Sequence, residues 1–102
     1  MFELLGRPAR GKTCEAIVGI IDEAEEIMED FKGAEALDAG LASSAQAVEH
    51  YEIARYGTLK TWAQELGMTD AAKLLDETLQ EEIKADQLLT KLATSTINMK
   101  AA

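Results

Sequence analysis

Residues 45–56 read AQAVEHYEIARY and decide the fold, because their apolar side chains recur with the spacing of an α-helix. With about 100° of rotation per residue, the helix has one apolar face. Glu52 lies about 30° from the centre of this face, and Glu49 lies one turn earlier at its edge. A buried carboxylate is costly unless it meets a partner, a proton or a metal ion. The sequence therefore predicts that Glu52 has a partner, a proton or a metal ion inside the fold.

The composition indicates a single small domain of packed helices over residues 1–102. Apolar residues make up 47% of the chain, aromatic residues only 5%, and there is one proline. A chain of this length buries a modest core. Acidic residues outnumber basic ones by 19 to 10, which gives a formal charge of −9. This charge disfavours nucleic acid as a partner and attracts cations.

Apolar spacing predicts an all-α chain of three helices, at residues 13–31, 34–66 and 70–93. Thr13 and Thr69 are the expected N-caps. The long second helix is expected to loosen near Gly40 and to end at Gly67. We expect an N-terminal loop segment at residues 1–12 and a frayed tail at residues 94–102.

The third helix also carries an acid on its apolar face. Glu82 lies about 35° from the centre of that face, and Glu81 and Asp86 flank it on opposite sides. The short turn at residues 67–68 makes the second and third helices an antiparallel hairpin. Because Glu52 and Glu82 are about equally far from this turn, we expect them at the same level of the hairpin.

Carboxylates that face one another between bundle helices are the ligands of di-iron and di-manganese proteins. Glu49 and Glu52 have the one-turn spacing of two ligands on one face. The third helix offers acids but no histidine at the expected offset. Alternatively, these acids reach solvent or pair with Arg55, Lys60 or Lys84. Spacing alone leaves both interpretations open.

The chain has one histidine and one cysteine. His50 lies about 100° around the helix from Glu49, so we expect it at the surface or hydrogen-bonded to a ligand rather than bound to metal. We expect Cys14 to be a small buried residue in a reducing compartment and not a nucleophile. With no leader peptide and no apolar run of about 20 residues, we expect a cytoplasmic protein without membrane contact.

Residues 6–13, GRPARGKT, match the P-loop pattern G-x(4)-G-K-[ST]. A P-loop follows a strand of a parallel sheet, and this sequence offers no strands from which to build one. We therefore expect no nucleotide binding, despite the match from Gly6 to Thr13.

Several stretches together resemble the YciE/YciF group of bacterial ferritin-like stress proteins. They are LG at 5–6, GKTCEA at 11–16, VEHYEIA at 48–54, YGTL at 56–59, AAKLL at 71–75 and EE at 81–82. The resemblance extends over essentially the whole chain and is most specific around Glu49 and Glu52, which are also similar to the third-helix pattern of rubrerythrins.

The resemblance implies a ferritin-like four-helix bundle with a di-metal centre, with iron as the expected metal. A site without histidine is harder and more anionic, so manganese (Mn²⁺), Mg²⁺ or Ca²⁺ can compete with iron. The resemblance assigns Glu49 and Glu52 to the third-helix ligand positions, and Glu81 or Glu82 to the fourth-helix position. It also implies an association with stress responses. Our leading hypothesis adds a ferroxidase- or peroxide-type redox role, which needs an open coordination position on the metal. Whether the protein is an enzyme stays open.

The chain departs from this family because the family's proteins begin with two further bundle helices. This chain corresponds to the accessory helix and the second helical hairpin of those proteins, which is half of a bundle. We therefore expect two copies to pair about a two-fold axis, as a homodimer or within a larger homo-oligomer. The alternative is a metal-free interaction or structural protein that pairs with itself or joins a larger ferritin-like partner.

Overall fold

The protein, described here over residues 2–102 of a computed structural model, consists of helices joined by short connections. In chain order these are α1 (Phe2–Leu5), α2 (Glu15–Asp30), α3 (Leu37–Glu65), α4 (Thr69–Leu92), a π-helical turn (Ala93–Ile97) and α5 (Asn98–Ala101). Residues 2–102 contain no strand, so the predicted all-α fold class is confirmed. Within the same range, no helix is both long and apolar enough to cross a membrane.

Helices α3 and α4 form the predicted antiparallel hairpin. Gly67 adopts a φ of 71°, a left-handed conformation that glycine tolerates best. Its N–H donates to the Gln64 carbonyl at 3.0 Å, and the Met68 N–H donates to the Ala63 carbonyl at 2.8 Å. These two bonds are a Schellman motif, which satisfies carbonyls that the helix end would leave unpaired. Gly67 therefore ends α3 as the sequence predicted.

Small side chains bring the two helices together near this turn. The buried cluster there consists of Ala63, Ala71, Ala72 and Leu75, with Tyr56 and Met68 packed against it. Alanine permits a close approach of helices but buries little apolar area. The two helices therefore pack closely against each other near the turn, and few large side chains lie between them.

Helix α2 packs against α3 at Gly40. A Cβ atom on Gly40 would lie 2.6 Å from Cγ2 of Ile27, which is too close for an ordinary contact. The predicted loosening of the helix at Gly40 does not occur, since α3 continues through this residue. The glycine instead leaves room for Ile27 of the neighbouring helix.

Both chain ends contain more helix than the sequence predicted. One helical turn, α1, lies within the segment 1–12, and helix continues through most of the tail 94–102. In the tail, the Thr94 hydroxyl donates to the Thr90 carbonyl at 2.8 Å, and the Ser95 hydroxyl donates to the Leu92 carbonyl at 3.1 Å. Such bonds accompany local widening of a helix. Helix therefore persists to Ala101.

The helix starts differ slightly from the predicted ones. Cys14 and Met68, rather than Thr13 and Thr69, occupy the N-cap positions, and neither makes a side-chain capping bond. The segment with the P-loop pattern is preceded by α1 and not by a strand, with Gly6 at a φ of 64°. The strand on which a P-loop depends is therefore replaced by a helical turn.

Candidate metal centre

Three carboxylates converge near the middle of the hairpin. Glu49 and Glu52, one turn apart on α3, face Glu82 of α4, and one oxygen of each lies within 4.8 Å of the other two. All three residues are half-buried. The hairpin register predicts that Glu52 and Glu82 share a level, and the structure brings them together there.

One oxygen of this cluster lacks a hydrogen-bond donor. Oε2 of Glu49 is buried, and within residues 2–102 it has no hydrogen-bond partner. A buried acceptor without a donor costs about 1–3 kcal/mol, and more when it is charged. A cation bound between the carboxylates would supply the missing positive partner.

The neighbouring acids change the protonation of Glu82. A hydrogen bond with Glu49, burial, and the neighbouring Glu52 carboxylate raise the pKa of Glu82 from its ordinary value of 4.5 to about 8. A negative charge close to a carboxyl group disfavours its ionisation, so Glu82 favours its protonated form. At neutral pH the metal-free cluster therefore retains a proton at Glu82.

The structure separates the two adjacent acids of α4. Glu82 lies in the cluster, whereas Glu81 is exposed and lines an open apolar groove farther along the hairpin. The 100° rotation between neighbouring helical residues accounts for this difference. Of the two residues that the resemblance offers for the fourth-helix position, Glu82 is the one that faces Glu49 and Glu52.

His50 lies outside the cluster, on the solvent side of α3. Its Nε2 is 2.9 Å from Oδ1 of Asp86, and its side chain is 67% exposed. The Gln46 amide donates to the same Asp86 oxygen at 3.3 Å and to the Thr90 hydroxyl at 2.7 Å. These contacts tie α3 to α4, and Asp86 is not one of the acids that converge with Glu82.

The basic residues that were alternative partners lie elsewhere. Nζ of Lys60 binds Oδ1 of Asp76 at 2.8 Å, and this contact lowers the pKa of Asp76. The Arg55 guanidinium lies 5.2 Å from the centre of the Tyr51 ring, and Lys84 is exposed. In the described part of the chain, no ion pair neutralises the three glutamates.

A contact between α2 and α3 was not predicted. Sγ of Cys14 lies 3.1 Å from the Tyr51 hydroxyl, and Cys14 is half-buried rather than fully enclosed. Hydrogen bonds with Tyr51 and with the backbone of Ile17 lower the pKa of the thiol. The sequence contains only weak signals for this contact, namely the position of Cys14 at a helix start and the position of Tyr51 beside the acids.

The donor set fits a hard divalent cation. Three carboxylates provide only oxygen ligands, which Mg²⁺, Ca²⁺ and Mn²⁺ favour and which carboxylate-bridged iron also accepts. The orphaned Glu49 oxygen and the absence of a neutralising base among residues 2–102 are consistent with such an ion. Fold and cluster together define the class: an all-helical protein with inward carboxylates between antiparallel helices.

The chain belongs to the family described as "Domain of unknown function (DUF892)", whose sequence profile matches residues 1–102. It is also 53% identical over 88 residues to the protein YciF of Escherichia coli K12. That alignment covers 86% of this chain and 53% of YciF. The predicted resemblance to the YciF group is thereby confirmed.

Two solved structures share the fold. The crystal structure of the E. coli stress protein YciF superimposes with a TM-score of 0.83 at 49% identity, covering 90% of this chain and 58% of that one. YcfI of Rhodopseudomonas palustris, described as a candidate structural protein, gives a TM-score of 0.84 at 47% identity, covering 87% and 57%. The chain thus spans a little over half the length of these relatives.

Proposed function

We propose that Glu49, Glu52 and Glu82 bind divalent metal, with iron as the expected ion, manganese as the alternative, and a di-metal centre as the complete site. The observation that carries this proposal is their convergence around a buried Glu49 oxygen that lacks a donor. A structural role alone does not account for three acids that converge on the inner face of a hairpin without a basic partner among residues 2–102, because each would be less costly at the surface.

The proposed role is stress-associated, since the E. coli relative is described as a stress protein. Bound iron supplies one-electron redox chemistry, and the protein's contribution is to hold the carboxylates and limit the access of water. Ferroxidase- or peroxide-type turnover would additionally need an open coordination position on the metal. We place this role in the cytoplasm, where a single free thiol stays reduced.

Iron binding to the purified chain tests the proposal directly. After anaerobic loading with Fe²⁺ and desalting, we expect about one iron per chain, which corresponds to one metal pair per two chains. Glu52→Gln and Glu82→Gln should each reduce bound iron at least tenfold, because each removes one of three charged ligands. Iron is measured by elemental analysis, and the helical circular dichroism spectrum verifies folding.

Two further variants make this test specific. Glu65→Gln removes an exposed acid of α3 and should leave the bound iron unchanged. Glu81→Gln should also retain iron, since Glu81 faces the groove. If wild type binds no iron after loading, the metal-binding proposal is wrong. If Glu81→Gln loses iron and Glu82→Gln does not, the ligand assignment is wrong.

A second candidate function is a metal-free structural or interaction protein. The R. palustris relative is described as a candidate structural protein, and several large apolar side chains of α3 and α4 lie exposed. In that case the chain would assemble normally without iron, and Glu52→Gln would stabilise it by removing charge repulsion. The iron measurement therefore separates the two candidates.

A further inference from the structure

A cluster of four polar side chains joins α3 to α4. Oδ1 of Asp86 lies 2.9 Å from Nε2 of His50 and accepts a hydrogen bond from the Gln46 amide at 3.3 Å. The same amide donates to the Thr90 hydroxyl at 2.7 Å. The Asp86 side chain is only 19% exposed, which is low for a charged residue. We call these four residues the Asp86 cluster.

The Asp86 cluster lies within about one helical turn of the candidate ligands on both helices. On α3, Gln46 precedes Glu49 by three residues, and His50 follows Glu49 directly. On α4, Asp86 follows Glu82 by four residues, which places the two side chains next to each other along the helix. A displacement at Asp86 therefore reaches Glu82 through a single turn of a hydrogen-bonded helix.

A second polar contact joins the same two helices nearer the turn of the hairpin. Nζ of Lys60 lies 2.8 Å from Oδ1 of Asp76. Lys60 follows Glu52 by eight residues, which is about two turns of α3. Asp76 precedes Glu82 by six residues. The Lys60–Asp76 pair also crosses between the helices but is farther from the ligands along both, and it therefore serves as a matched control.

The three glutamates are sensitive to small rotations of α4. A helix with its side chains is about 10–12 Å across, so a carboxyl group at its surface lies about 5 Å from the axis. A rotation of α4 by about 10° then moves the Glu82 carboxyl by about 1 Å. A metal site requires ligands that are held within about 0.5 Å of their positions. The rotation of α4 must therefore be fixed close to Glu82.

We propose that Asp86 is a positioning residue of the candidate metal centre: its hydrogen bonds to α3 fix the rotation of α4 and bring Glu82 to the two glutamates of α3. This inference rests on the proposed function, because it concerns the same site. Asp86 is not among the acids that converge there, so it acts through the helix rather than on the ion. Loss of a group that orients metal ligands typically weakens metal binding by about 10–100-fold.

Binding of Mn²⁺ to the purified chain, measured by titration calorimetry, tests the positioning. Asp86→Ala removes the acceptor, and we expect the Mn²⁺ dissociation constant to rise about tenfold or more. Asp86→Asn keeps an acceptor oxygen without the charge and should bind Mn²⁺ nearly as wild type does. Asp76→Ala breaks the control contact and should leave the affinity unchanged. Urea denaturation verifies that each variant is folded.

The donors on α3 supply a second, independent variant. Gln46→Ala combined with His50→Ala removes both donors and should weaken Mn²⁺ binding as much as Asp86→Ala does. In the Asp86→Ala background the same pair of changes should have little further effect, because partners in one interaction are not additive. If the two losses add, the donors and Asp86 act separately, and the positioning is overturned.

Three other results also overturn it. Equal losses in Asp86→Ala and Asp86→Asn mean that the charge of Asp86 acts on the ion directly. An unchanged Mn²⁺ affinity in Asp86→Ala means that the contact does not position the ligands. An equal loss in Asp76→Ala means that any contact between the helices has the same effect through stability alone.

A measurement without metal separates this inference from the proposed function. The hydrogen bond with Glu49, burial and the nearby Glu52 raise the pKa of Glu82 to about 8, so this pKa reports how closely the acids are held. If wild type binds neither Mn²⁺ nor Fe²⁺, the metal function is wrong, and a titration followed by carboxyl ¹³C NMR decides the positioning. A fall of the Glu82 pKa in Asp86→Ala, but not in Asp86→Asn or Asp76→Ala, supports it, and an unchanged pKa overturns it.

Discussion

Glu82 differs from Asp76 on the same helix because its neighbours are acids, whereas Asp76 pairs with a base. The contact of Glu82 with Glu49, its burial and the nearby Glu52 all favour the protonated form and raise its pKa to about 8. By contrast, the Lys60 ammonium keeps the pKa of Asp76 below its ordinary value. The pKa is therefore raised in the candidate centre, where an acid contacts acids, and lowered in an ordinary surface ion pair, where an acid contacts a base.

The raised pKa of Glu82 predicts how the metal-free chain responds to pH. The folded state holds this proton up to about pH 8, whereas the unfolded chain releases it near 4.5. The corresponding stabilisation is complete below pH 4.5 and is lost as the pH rises through 8. In the presence of a chelator, we expect the free energy of unfolding, measured by urea denaturation, to fall over this range.

Glu82→Gln is the control for this pH effect. Glutamine does not titrate, so the variant should show a weaker decline of the free energy of unfolding between pH 4.5 and 8. The two proteins share every other titratable residue, so the difference between their pH profiles reports the titration of Glu82. Parallel pH profiles for wild type and Glu82→Gln would contradict the assignment of the proton.

Individual residues were predictable where helical rotation alone decides their position. The angles of Glu49, Glu52 and Glu82 on their helices predict that they point inward, and the structure groups them. The Cys14–Tyr51 contact depends on how α2 docks on α3, which the periodicity of a single helix does not encode.

At the scale of the elements, two glycines inside α3 have different roles. Gly57 has open space where a Cβ would be, whereas Gly40 faces Ile27 at a hypothetical distance of 2.6 Å. Glycine inside a helix costs about 0.5–1 kcal/mol relative to alanine. Only Gly40 has a packing reason to remain glycine.

We therefore expect opposite effects from the same substitution. Gly57→Ala should raise the free energy of unfolding by about 0.5–1 kcal/mol through helix propensity. Gly40→Ala should lower it by about 1–3 kcal/mol, because Ile27 or α2 must move. Chemical denaturation of both variants measures the difference.

Removal of the Ile27 side chain provides the control. In an Ile27→Ala background the contact atom is absent, so Gly40→Ala should become stabilising, as in Gly57→Ala. If Gly40→Ala destabilises the chain equally with and without Ile27, the close approach of α2 is not the cause.

The main helices and the turn were predictable because apolar periodicity and Gly67 are local signals. The ends of the chain were not. Helix continues beyond Ala93 through side-chain hydroxyl bonds and a π-helical turn, neither of which apolar spacing reveals. Propensity also favoured the threonines as caps, whereas the chain enters the helices at Cys14 and Met68.

At the scale of the whole molecule, the hairpin carries exposed apolar side chains and the carboxylate cluster along the same two helices. The sequence predicts both surfaces, because each follows from the positions of leucines and glutamates around α3 and α4. It does not predict the shape of the molecule, whose extents are 50 × 27 × 16 Å, because the spacing within a single helix does not encode how α2 docks on α3.

The proton retained at Glu82 has a further consequence for calorimetry. A cation that binds all three carboxylates must displace this proton below about pH 8, and the buffer then takes it up. The observed heat of Mn²⁺ binding should therefore vary linearly with the ionisation enthalpy of the buffer, with a slope near one proton per site at neutral pH. In Glu82→Gln any residual binding should give nearly the same heat in every buffer.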